Sequence, residues 1–313
     1  MASAGEALVD LFLGMDATGP VLRVAPGGSS LNVAIGLARL GLAASFAGRI
    51  STDALGAFLL SVLRREGIDT ALLQRGPEPT ALALVGGDEA DPTYDFRWIG
   101  TADRTFDPEA IERGSFEGLA ALHVGSVALG FDPIGSRLIA LMERLRGHVF
   151  LTFDPNVRRD VIDDWPTYVG RVRQAAELAD LVKVSDADLW ALGEPACPPG
   201  RPFGRAAPTI VTAGARGATL VQAGRTPIGV PAAPVAVVDS VGAGDAAMAA
   251  LLFAFAEHGV LTPGAIDHLA DASWTDILRT MTTAGSMACE RVGADPPTVA
   301  ALRGRLSSRP IVP

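Results

Sequence analysis

The sequence predicts a mixed α/β fold in which helices cover both faces of a mainly parallel sheet. Short β-rich runs alternate with longer helical patterns over most of the 313 residues, which is typical of parallel sheets. The hydrophobic content of 49% suffices for one large core or two modest ones, and the charged share of 19% argues against disorder. We therefore expect a three-layer α/β/α sandwich.

Each predicted strand is a short apolar run rich in β-branched residues. In chain order these runs are Ala7–Phe12, Ala44–Gly48, Thr80–Val85, Ala120–Val124, Phe150–Phe153, Leu181–Val184, Thr209–Thr212 and Ala218–Gln222. Each predicted helix carries apolar residues at helical spacing, as at Leu31, Ile35 and Ala38. In chain order the predicted helices are Leu31–Leu40, Ala54–Glu66, Gly135–Leu145, Val169–Ala176, Ala187–Leu192, one opened by Asp245 and one at about Ser273–Arg291.

The segment Gly86–Arg104 interrupts this alternation. It is polar and places Tyr94, Phe96 and Trp98 on alternate positions, a pattern that indicates a strand with one aromatic face. Together with the early strand and loop Asp10–Val24, it is predicted to form a small lid over one edge of the sheet. Phe96 and Trp98 could contact substrate from this lid, but an aromatic edge strand more often serves packing or a dimer contact, so they are left out of the catalytic set.

Composition also narrows the class of partner. The formal net charge of −9 and the lack of a Lys/Arg-rich run argue against nucleic acid, whose phosphates require a basic face. Cys197 and Cys289 lie far apart, which favours buried or incidental thiols over a disulfide framework or a zinc site. No run approaches the about 18 apolar residues of a membrane span, and the opening MASAGEALVDLF carries no positively charged leader. We expect a cytoplasmic protein that binds small molecules.

The stretch VVDSVGAGDAAMAALLFAF, Val237–Phe255, is interpreted as strand, loop and helix. The loop of Gly242, Ala243 and Gly244 lets backbone N–H groups approach a ligand, and the helix start adds its positive dipole end. A carboxylate repels an anion, so binding the anion does not explain its presence here. It can instead accept the proton of a hydroxyl that attacks the anion. This argument predicts Asp245 as a general base. The alternative is an ordinary helix cap, common for an Asp after Gly.

A second glycine-rich site lies at APGGSSLNVAIGLARLG, Ala25–Gly41. Gly27 and Gly28 let the backbone approach a ligand, and Asn32 extends from the first helical turn. Its amide both donates and accepts, which suits a sugar hydroxyl. A tight turn with a serine cap is the alternative. Neither site matches the Walker pattern G-x-x-x-x-G-K-[ST], and the missing G-x-G-x-x-G argues against a dehydrogenase.

These motifs resemble a known family. PGGSSLNVAIGLARLG resembles the amino-terminal signature, and DSVGAGDAAMAALL the carboxy-terminal signature, of the ribokinase or PfkB-type carbohydrate kinases. The resemblance continues through GEALVDLF, HVGSVAL, FDPNVR, LVKVSDADL, VTAGARGATL and ACERVGADPPT, and with GTADR it is most similar to bacterial fructokinases. It implies one ribokinase-like kinase domain over residues 1–313, with a lid formed by about 10–24 and 80–104.

The resemblance implies roles at the sugar end of the site. Asp245 would deprotonate the primary hydroxyl of the sugar, while the N–H groups of Gly242, Ala243 and Gly244 would stabilise charge on the transferring phosphoryl group. Arg158 would contact the substrate or the migrating phosphate with its planar guanidinium. A surface salt bridge is the alternative for Arg158. The residues implied for binding sugar hydroxyls are Asp10, Gly27, Gly28 and Asn32.

The resemblance also implies residues at the nucleotide-binding end of the site. The residues implied for ATP are Lys183, Ser185, Thr212, Gly214 and Gly217. Mg²⁺ would bridge the phosphates mostly through water, because the ion keeps its hydration shell when few protein ligands are offered. The family's N-x-x-E is replaced here by S-D-A-D, so Asp188 is the candidate for the water shell of the metal, at a shorter reach.

A monovalent cation site is implied beside the glycine loop. A K⁺ ion there would add positive field to the loop without entering the reaction. The alternative is that Asp239 simply caps a turn. The implied ligands are Asp239 and the backbone oxygens of Val241, Ala288, Arg291 and Gly293.

The resemblance thus implies an ATP-dependent kinase that phosphorylates a primary hydroxyl of a ketohexose such as fructose. A 2-keto-3-deoxygluconate or other sugar-acid kinase stays open, because Arg97, Arg104 and Arg158 could pair with a substrate carboxylate. A non-catalytic sugar- or nucleotide-binding member also stays open, motivated by Ser185 and Asp188. Nucleoside kinases share only the two common signatures. An exposed lid edge would allow a homodimer.

Overall fold

The computed structural model of the chain describes residues 1–17, 19–88, 91–112, 114–195 and 201–308, with the backbone alone at 87, 88 and 91–94. Its strands are β1 (Ala2–Ala4), β2 (Leu8–Asp16), β3 (Gly19–Gly27), β4 (Ser45–Ser51), β5 (Leu73–Gly76), β6 (Ala81–Asp88), β7 (Asp91–Arg97), β8 (Ala121–Gly125), β9 (Phe150–Asp154), β10 (Leu181–Ser185), β11 (Thr209–Thr212), β12 (Ala218–Val221) and β13 (Ile228–Val230). Its α-helices are α1 (Ser29–Arg39), α2 (Ala54–Arg65), α3 (Ile134–Leu145), α4 (Trp165–Leu178), α5 (Asp186–Leu192), α6 (Ala243–Glu257), α7 (Asp271–Ala288) and α8 (Val299–Ser307).

The main sheet has nine strands within the part of the chain that the structure describes. Their order is β13-β12-β11-β10-β9-β8-β1-β4-β5. Neighbours from β11 to β5 are parallel, whereas β12 and β13 pair in antiparallel fashion at one edge. Parallel strands require crossover connections, and these place helices on the sheet faces.

Apolar cores fill both faces of this sheet. On one face Phe150 packs in a core with residues of α1, α6 and α7, and on the other face its neighbour Leu151 packs with residues of α3 and α4. The same alternation recurs along β10 at Leu181 and Val182, as the two-residue period of a strand requires. The predicted three-layer α/β/α sandwich is therefore confirmed.

A smaller four-stranded sheet has the order β3-β2-β6-β7. Its central pair β2 and β6 is parallel, and the outer pairs are antiparallel hairpins. The predicted strand Thr80–Val85 belongs to this sheet and not to the main one. Two chain segments, residues 8–27 and 81–97, thus build a separate layer beside the main sheet.

The amino terminus differs from the predicted single strand Ala7–Phe12. The predicted strand corresponds to β2, which belongs to the small sheet, whereas β1 lies before the predicted segment and pairs between β8 and β4 in the main sheet. Strands β3, β5 and β13 and helix α8 were also missing from the prediction. Each of these four is short or lacks a strong apolar pattern, so its burial against the rest of the fold was not visible locally.

The predicted strand before the glycine loop is wrong. Val237 and Val238 lie outside any strand, and their side chains are 68% and 60% exposed. The backbone N–H of Val238 donates to the carbonyl oxygen of Cys289 at 2.8 Å, so this segment bonds to the end of α7 rather than to a sheet. Tertiary contacts here override the β-branched propensity.

No helix in the described ranges combines the length and apolarity needed to cross a bilayer. Cys289 is a free, half-buried thiol. Cys197 and the side chain of Tyr94 lie outside the described residues.

Candidate active site

A cleft of about 760 Å³ opens between the small sheet and the carboxyl ends of the main-sheet strands. In parallel α/β proteins ligands bind at this edge, because the strand-to-helix loops converge there. Seven of the residues predicted for catalysis or sugar binding line the cleft, namely Asp10, Gly28, Asn32, Arg158, Gly242, Gly244 and Asp245, and Val241 of the predicted cation site lines it as well. Gly27 and Ala243 adjoin them in the chain.

Asp245 lies in the first turn of α6, and its side chain is only 7% exposed. One carboxylate oxygen accepts a hydrogen bond from the hydroxyl of Ser29 at 2.6 Å, and the other accepts one from the amide of Asn32 at 2.9 Å. Helix α6 is preceded by Gly242 at the N-cap position, and no side chain caps it. The alternative of an ordinary helix cap is therefore wrong for Asp245.

The surroundings of Asp245 set its proton affinity. Burial raises the pKa of its carboxyl above the ordinary value, and the hydrogen bonds from Ser29 and Asn32 partly oppose this rise. The charge of Asp154 adds to the rise, while the ammonium group of Lys183 lowers the pKa. A buried carboxylate with a raised pKa is a better proton acceptor than an exposed one.

Gly242 gives the loop before α6 its shape. Its φ of 74° lies in the left-handed region, and a Cβ atom there would lie 2.6 Å from the Cβ atom of Ala294. Only glycine tolerates both conditions at once. The loop therefore brings the first turn of α6 to the cleft, with amide N–H groups that have no partners inside the helix.

The second glycine pair brings acidic and amide side chains together. A Cβ atom on Gly27 would overlap the carboxylate of Asp10, so the missing side chain allows this close approach. Asn32 uses its amide nitrogen on Asp245, and its buried Oδ1 atom has no hydrogen-bond partner among the described residues. A buried acceptor without a partner is costly unless a ligand supplies a donor. Its place on the cleft wall suits a ligand hydroxyl.

Two further carboxylates of the cleft carry perturbed pKa values. Burial raises the pKa of Asp10 to about 7. Burial likewise raises the pKa of Glu6 to about 7, and Glu6 accepts a hydrogen bond from the backbone N–H of Ser29 at 2.9 Å. Sequence reasoning did not select Glu6. The available signal was a lone acid within the otherwise apolar run before Asp10.

A second cleft of about 360 Å³ adjoins the first and shares Asn156, Arg158 and Gly244 with it. The predicted nucleotide residues Lys183, Ser185 and Thr212 line it. Gly214 and Gly217 follow β11 and are not part of its described lining. The structure thus brings three of the five residues predicted for ATP to one groove.

Lys183 is buried and forms an ion pair with Asp154, with 2.5 Å between Nζ and Oδ2. A Cβ atom on Gly244 would lie 3.6 Å from the same ammonium group. The positive charge of Lys183 therefore lies beneath the glycine loop, at the point where the two clefts meet.

Arg158 and Asn156 follow β9 at this junction. Asn156 adopts a positive φ of 38°, and asparagine tolerates this region better than most residues. Arg158 is exposed and donates to the carbonyl oxygen of Val157 at 3.0 Å, and it pairs with no carboxylate in the described part of the chain. The surface salt bridge considered for Arg158 is absent there. Ser126, another cleft residue, also has a positive φ, of 68°.

Asp188 lies in the first turn of α5 and forms a capping box with the N-cap residue Ser185. Its carboxylate accepts from the backbone N–H of Val157 at 2.9 Å and from that of Ser185 at 3.2 Å, and burial raises its pKa. Both oxygens are thus engaged, and the described residues hold no cluster of three or more metal-binding side chains. This donor set fits Mg²⁺ bound through water and does not fit direct ligation.

Asp239 joins the two segments of the predicted cation site. Its carboxylate accepts from the N–H of Val241 at 2.9 Å and from that of Gly293 at 2.7 Å. The turn-capping bond considered as the alternative is therefore present. The carbonyl oxygen of Ala288 accepts weakly from the N–H of Arg291, at 3.3 Å. These bonds join the two segments that carry the five predicted residues, but they bring N–H groups to Asp239, and the carbonyl oxygen of Gly293 accepts from the N–H of Asp295 at 2.9 Å.

The two aromatic residues that were set aside form part of the cleft. The rings of Phe96 and Trp98 stack with centroids 4.5 Å apart, and both line the larger cleft. Trp98 also contacts Phe131 at 5.0 Å between centroids. Packing was correctly expected, but the packed pair also forms an apolar wall of the cleft.

Comparison with known proteins gives a consistent assignment. Residues 3–301 match the pfkB family of carbohydrate kinases. A fructokinase of Rhizobium leguminosarum bv. trifolii is 34% identical over 264 residues, which cover 82% of this chain and 80% of that protein.

Solved structures that resemble this chain support the same family. A fructokinase of Xylella fastidiosa with bound ATP aligns with a TM-score of 0.85 at 27% identity, over 98% of this chain and 99% of that chain. A fructokinase double mutant of Vibrio cholerae O395, with fructose, ADP and potassium ion bound, aligns with a TM-score of 0.80 at 28% identity, over 98% and 96%. The predicted resemblance is confirmed, and the chain belongs to the pfkB family of ATP-dependent carbohydrate kinases.

Proposed function

We propose that this enzyme transfers the γ-phosphoryl group of ATP to a primary hydroxyl group of a ketohexose, and that its substrate is fructose. The observation that carries the proposal is the buried carboxylate of Asp245, held where the glycine loop meets the larger cleft. There it can accept the proton of the attacking hydroxyl. The amide groups of Gly242, Ala243 and Gly244 stabilise the charge that develops on the phosphoryl group.

The charges of the two clefts support a sugar site in the larger cleft and a phosphate site in the smaller one. The charged residues that line the larger cleft are Glu6, Asp10, Arg158, Asp160 and Asp245. The charged residues that line the smaller cleft are Asp154, Arg158, Arg159, Lys183 and Asp188. The first set is mainly acidic and suits the hydroxyl groups of a neutral sugar, whereas the second contains three cations and suits phosphates.

The same charges disfavour a sugar acid. Among the three arginines considered for a substrate carboxylate, only Arg158 lines the larger cleft. Arg97 forms an exposed pair with Asp95, and the guanidinium of Arg104 lies over the ring of Phe131 at 3.6 Å. A carboxylate-bearing substrate would meet four carboxylates and one cation there, so a neutral ketohexose is favoured.

The sugar is held by groups of the small sheet and of the start of α1. Asp10 and the unpaired Oδ1 atom of Asn32 accept hydrogen bonds from its hydroxyl groups, and Gly27 and Gly28 keep the wall open. Phe96 and Trp98 supply an apolar face. We infer that the small sheet acts as a lid over a single kinase domain and excludes water when it closes, so that the sugar and not water accepts the phosphoryl group.

In the smaller cleft, Lys183 and Arg158 neutralise the phosphates of ATP, and Ser185 and Thr212 border these phosphates. The roles of Gly214 and Gly217 toward ATP stay predictions. Asp188 would hold the water shell of Mg²⁺, and the ion would supply positive charge that stabilises the transition state. K⁺ at the Asp239 loop is supported by the potassium ion in the Vibrio cholerae fructokinase and by the bonds through which Asp239 joins the two segments of the predicted site.

A homodimer through the lid also stays a prediction. Exposed apolar side chains on β2 and β3 support it, namely Leu13, Met15, Val21, Leu22 and Val24.

The base assignment is tested with Asp245→Asn. This variant keeps the shape of the side chain but cannot accept the proton, so kcat should fall roughly 100- to 10,000-fold while ATP still binds. Release of ADP under saturating fructose measures kcat, and calorimetry measures ATP binding. Asp276→Asn, on the exposed side of α7, serves as the matched control and should keep wild-type kcat. Full activity of Asp245→Asn would refute the proposed role.

The substrate is tested by the same ADP assay on a panel of sugars, sugar acids and nucleosides, with K⁺ present or replaced by Na⁺. We expect the highest kcat/KM for fructose and a lower rate without K⁺. A higher kcat/KM for 2-keto-3-deoxygluconate would overturn the substrate assignment while leaving the role of Asp245 intact.

A further inference from the structure

We propose that Ser29 is a positioning residue of the general base: its hydroxyl group orients the carboxylate of Asp245 and keeps it ionised. The proposal rests on the proposed function, in which Asp245 accepts the proton of the sugar. It concerns a residue that the sequence motifs suggest only as a helix cap.

The position of Ser29 excludes that simpler role. Ser29 is the first residue of α1, whose N-cap is Gly28, and no side chain caps this helix. The hydroxyl instead donates across the cleft floor to Asp245, 216 residues further along the chain, at 2.6 Å. The short distance agrees with a hydroxyl bonded to an ionised carboxylate.

Ser29 is itself held in place. Its backbone N–H donates to Oε1 of Glu6 at 2.9 Å, and its side chain is buried. One turn later, Asn32 donates to the second oxygen of the same carboxylate at 2.9 Å. Residues three apart lie on one helix face, so α1 presents two donors to the two oxygens and fixes the carboxylate plane.

The charges around Asp245 explain why a donor is needed. Asp154 faces it from the end of β9 and Glu6 from the loop after β1, and both disfavour a second negative charge. Lys183, on β10, favours the charge but is already paired with Asp154. Burial raises the pKa of Asp245, and the bond from Ser29 is the largest opposing influence. Without this hydroxyl the pKa of Asp245 rises further, so that less of the base is ionised at a given pH.

The test is the pH dependence of kcat for Ser29→Ala, from about pH 5.5 to about pH 9 at saturating fructose and ATP. We expect the acidic limb of the profile to move to higher pH. The loss of kcat should be on the order of tenfold at the acidic end and should shrink as pH rises, because a hydrogen bond to a charged group has this strength. The KM for ATP should not change.

Ser30→Ala is the matched control. Ser30 is the buried neighbour, and its hydroxyl contacts the carbonyl oxygen of Ala4 at 3.2 Å and Oε2 of Glu6 at 3.4 Å but not Asp245. The acidic limb of the Ser30→Ala profile should stay at the wild-type pH. If Ser29→Ala does not fold, as thermal unfolding would reveal, Ser29→Thr and Ser29→Val replace it. These two side chains have the same shape, but only threonine keeps a hydroxyl group. The acidic limb should therefore shift in the valine variant and not in the threonine variant.

The outcomes separate this proposal from the proposed function. An unshifted limb in Ser29→Ala, or equal limbs in the threonine and valine variants, overturns the role of Ser29 even where Asp245→Asn is inactive. Activity in Asp245→Asn overturns the base assignment, and with it this proposal.

Discussion

At the scale of single residues, the cleft depends on carboxyl groups that burial has made weakly acidic. Asp10 and Glu6 each have a pKa of about 7, and burial raises that of Asp245. Asp10 and Glu6 therefore gain or lose a proton near neutral pH. Sugar binding should thus depend on pH in the physiological range.

Asp10→Asn tests the binding part of this argument. Loss of a charged acceptor for sugar hydroxyls should raise the KM for fructose roughly tenfold and change kcat by less than about threefold. In the wild type, KM should fall as pH rises through about 7, since Asp10 ionises there and becomes the stronger acceptor. Steady-state kinetics between about pH 6 and about pH 8 measure both effects.

The asparagine variant should show a flat KM in that range. Asp95→Asn, at an exposed position of the same small sheet, is the control and should retain the wild-type KM at each pH. A pH-independent wild-type KM would contradict the role of Asp10.

Residues of the site differ in how far the sequence revealed them. Asp245, Asn32 and Asp10 belong to recognisable motifs, and the structure places all three on one cleft. Glu6 and Ser29 were not selected because their importance arises from contacts between distant segments. No local pattern shows that Ser29 meets a carboxylate 216 residues away.

At the scale of elements, α6 is the part of the fold that positions the chemistry. It begins at the cleft after Gly242 and ends before Gly259, and both glycines have positive φ, of 74° and 67°. The helix is buried along nearly its whole length between α1 and α7. Its first turn therefore cannot shift alone when the loop before it changes.

Gly242→Ala tests this positioning. The added Cβ atom would lie 2.6 Å from that of Ala294, so the loop must move. We expect kcat to fall about 100-fold, because a displacement near 1 Å at reacting groups has this effect. Gly259→Ala is the control, since its φ is similar but nothing lies within 4 Å of the added atom. It should lose about 1 kcal/mol of stability and keep wild-type kcat.

Helices were predicted more accurately than strands. The predicted helices match the observed ones to about one turn, because apolar periodicity over a long segment is a strong signal. Val237 and Val238 show why strands are harder: a β-branched pair needs a neighbouring strand, and here the chain has already left the sheet. Short β5 lacks such a pattern and is formed only by pairing with β4.

At the scale of the whole molecule, the buried acids of the site oppose the stability of the fold near neutral pH. The carboxyl of Glu6 ordinarily has a pKa near 4.5, but in the folded chain it is about 7. Between these values the folded state binds more protons than the unfolded state. The free energy of unfolding therefore falls as pH rises through this window. Asp10 acts in the same direction.

His123 acts in the opposite direction. It is buried beside Thr152, and burial lowers its pKa to about 3 from an ordinary value of 6.5. The unfolded chain therefore binds more protons at this site below pH 6.5, and stability rises with pH there. A pH series on the wild type alone mixes the two effects, so a variant that removes only one is required.

Glu6→Gln removes the carboxyl contribution and keeps an oxygen acceptor for the N–H of Ser29. Denaturant unfolding at about pH 5.5 and about pH 8 gives the change in unfolding free energy with pH for the wild type and for the variant. The contribution of His123 is the same in both proteins and cancels when the two changes are subtracted. On raising the pH, the variant should lose less unfolding free energy than the wild type, by on the order of 2 kcal/mol. The exposed Glu112→Gln should behave like the wild type. Parallel pH responses of wild type and Glu6→Gln would mean that this acid is not held protonated by burial, and that the site is wetter than the structure indicates.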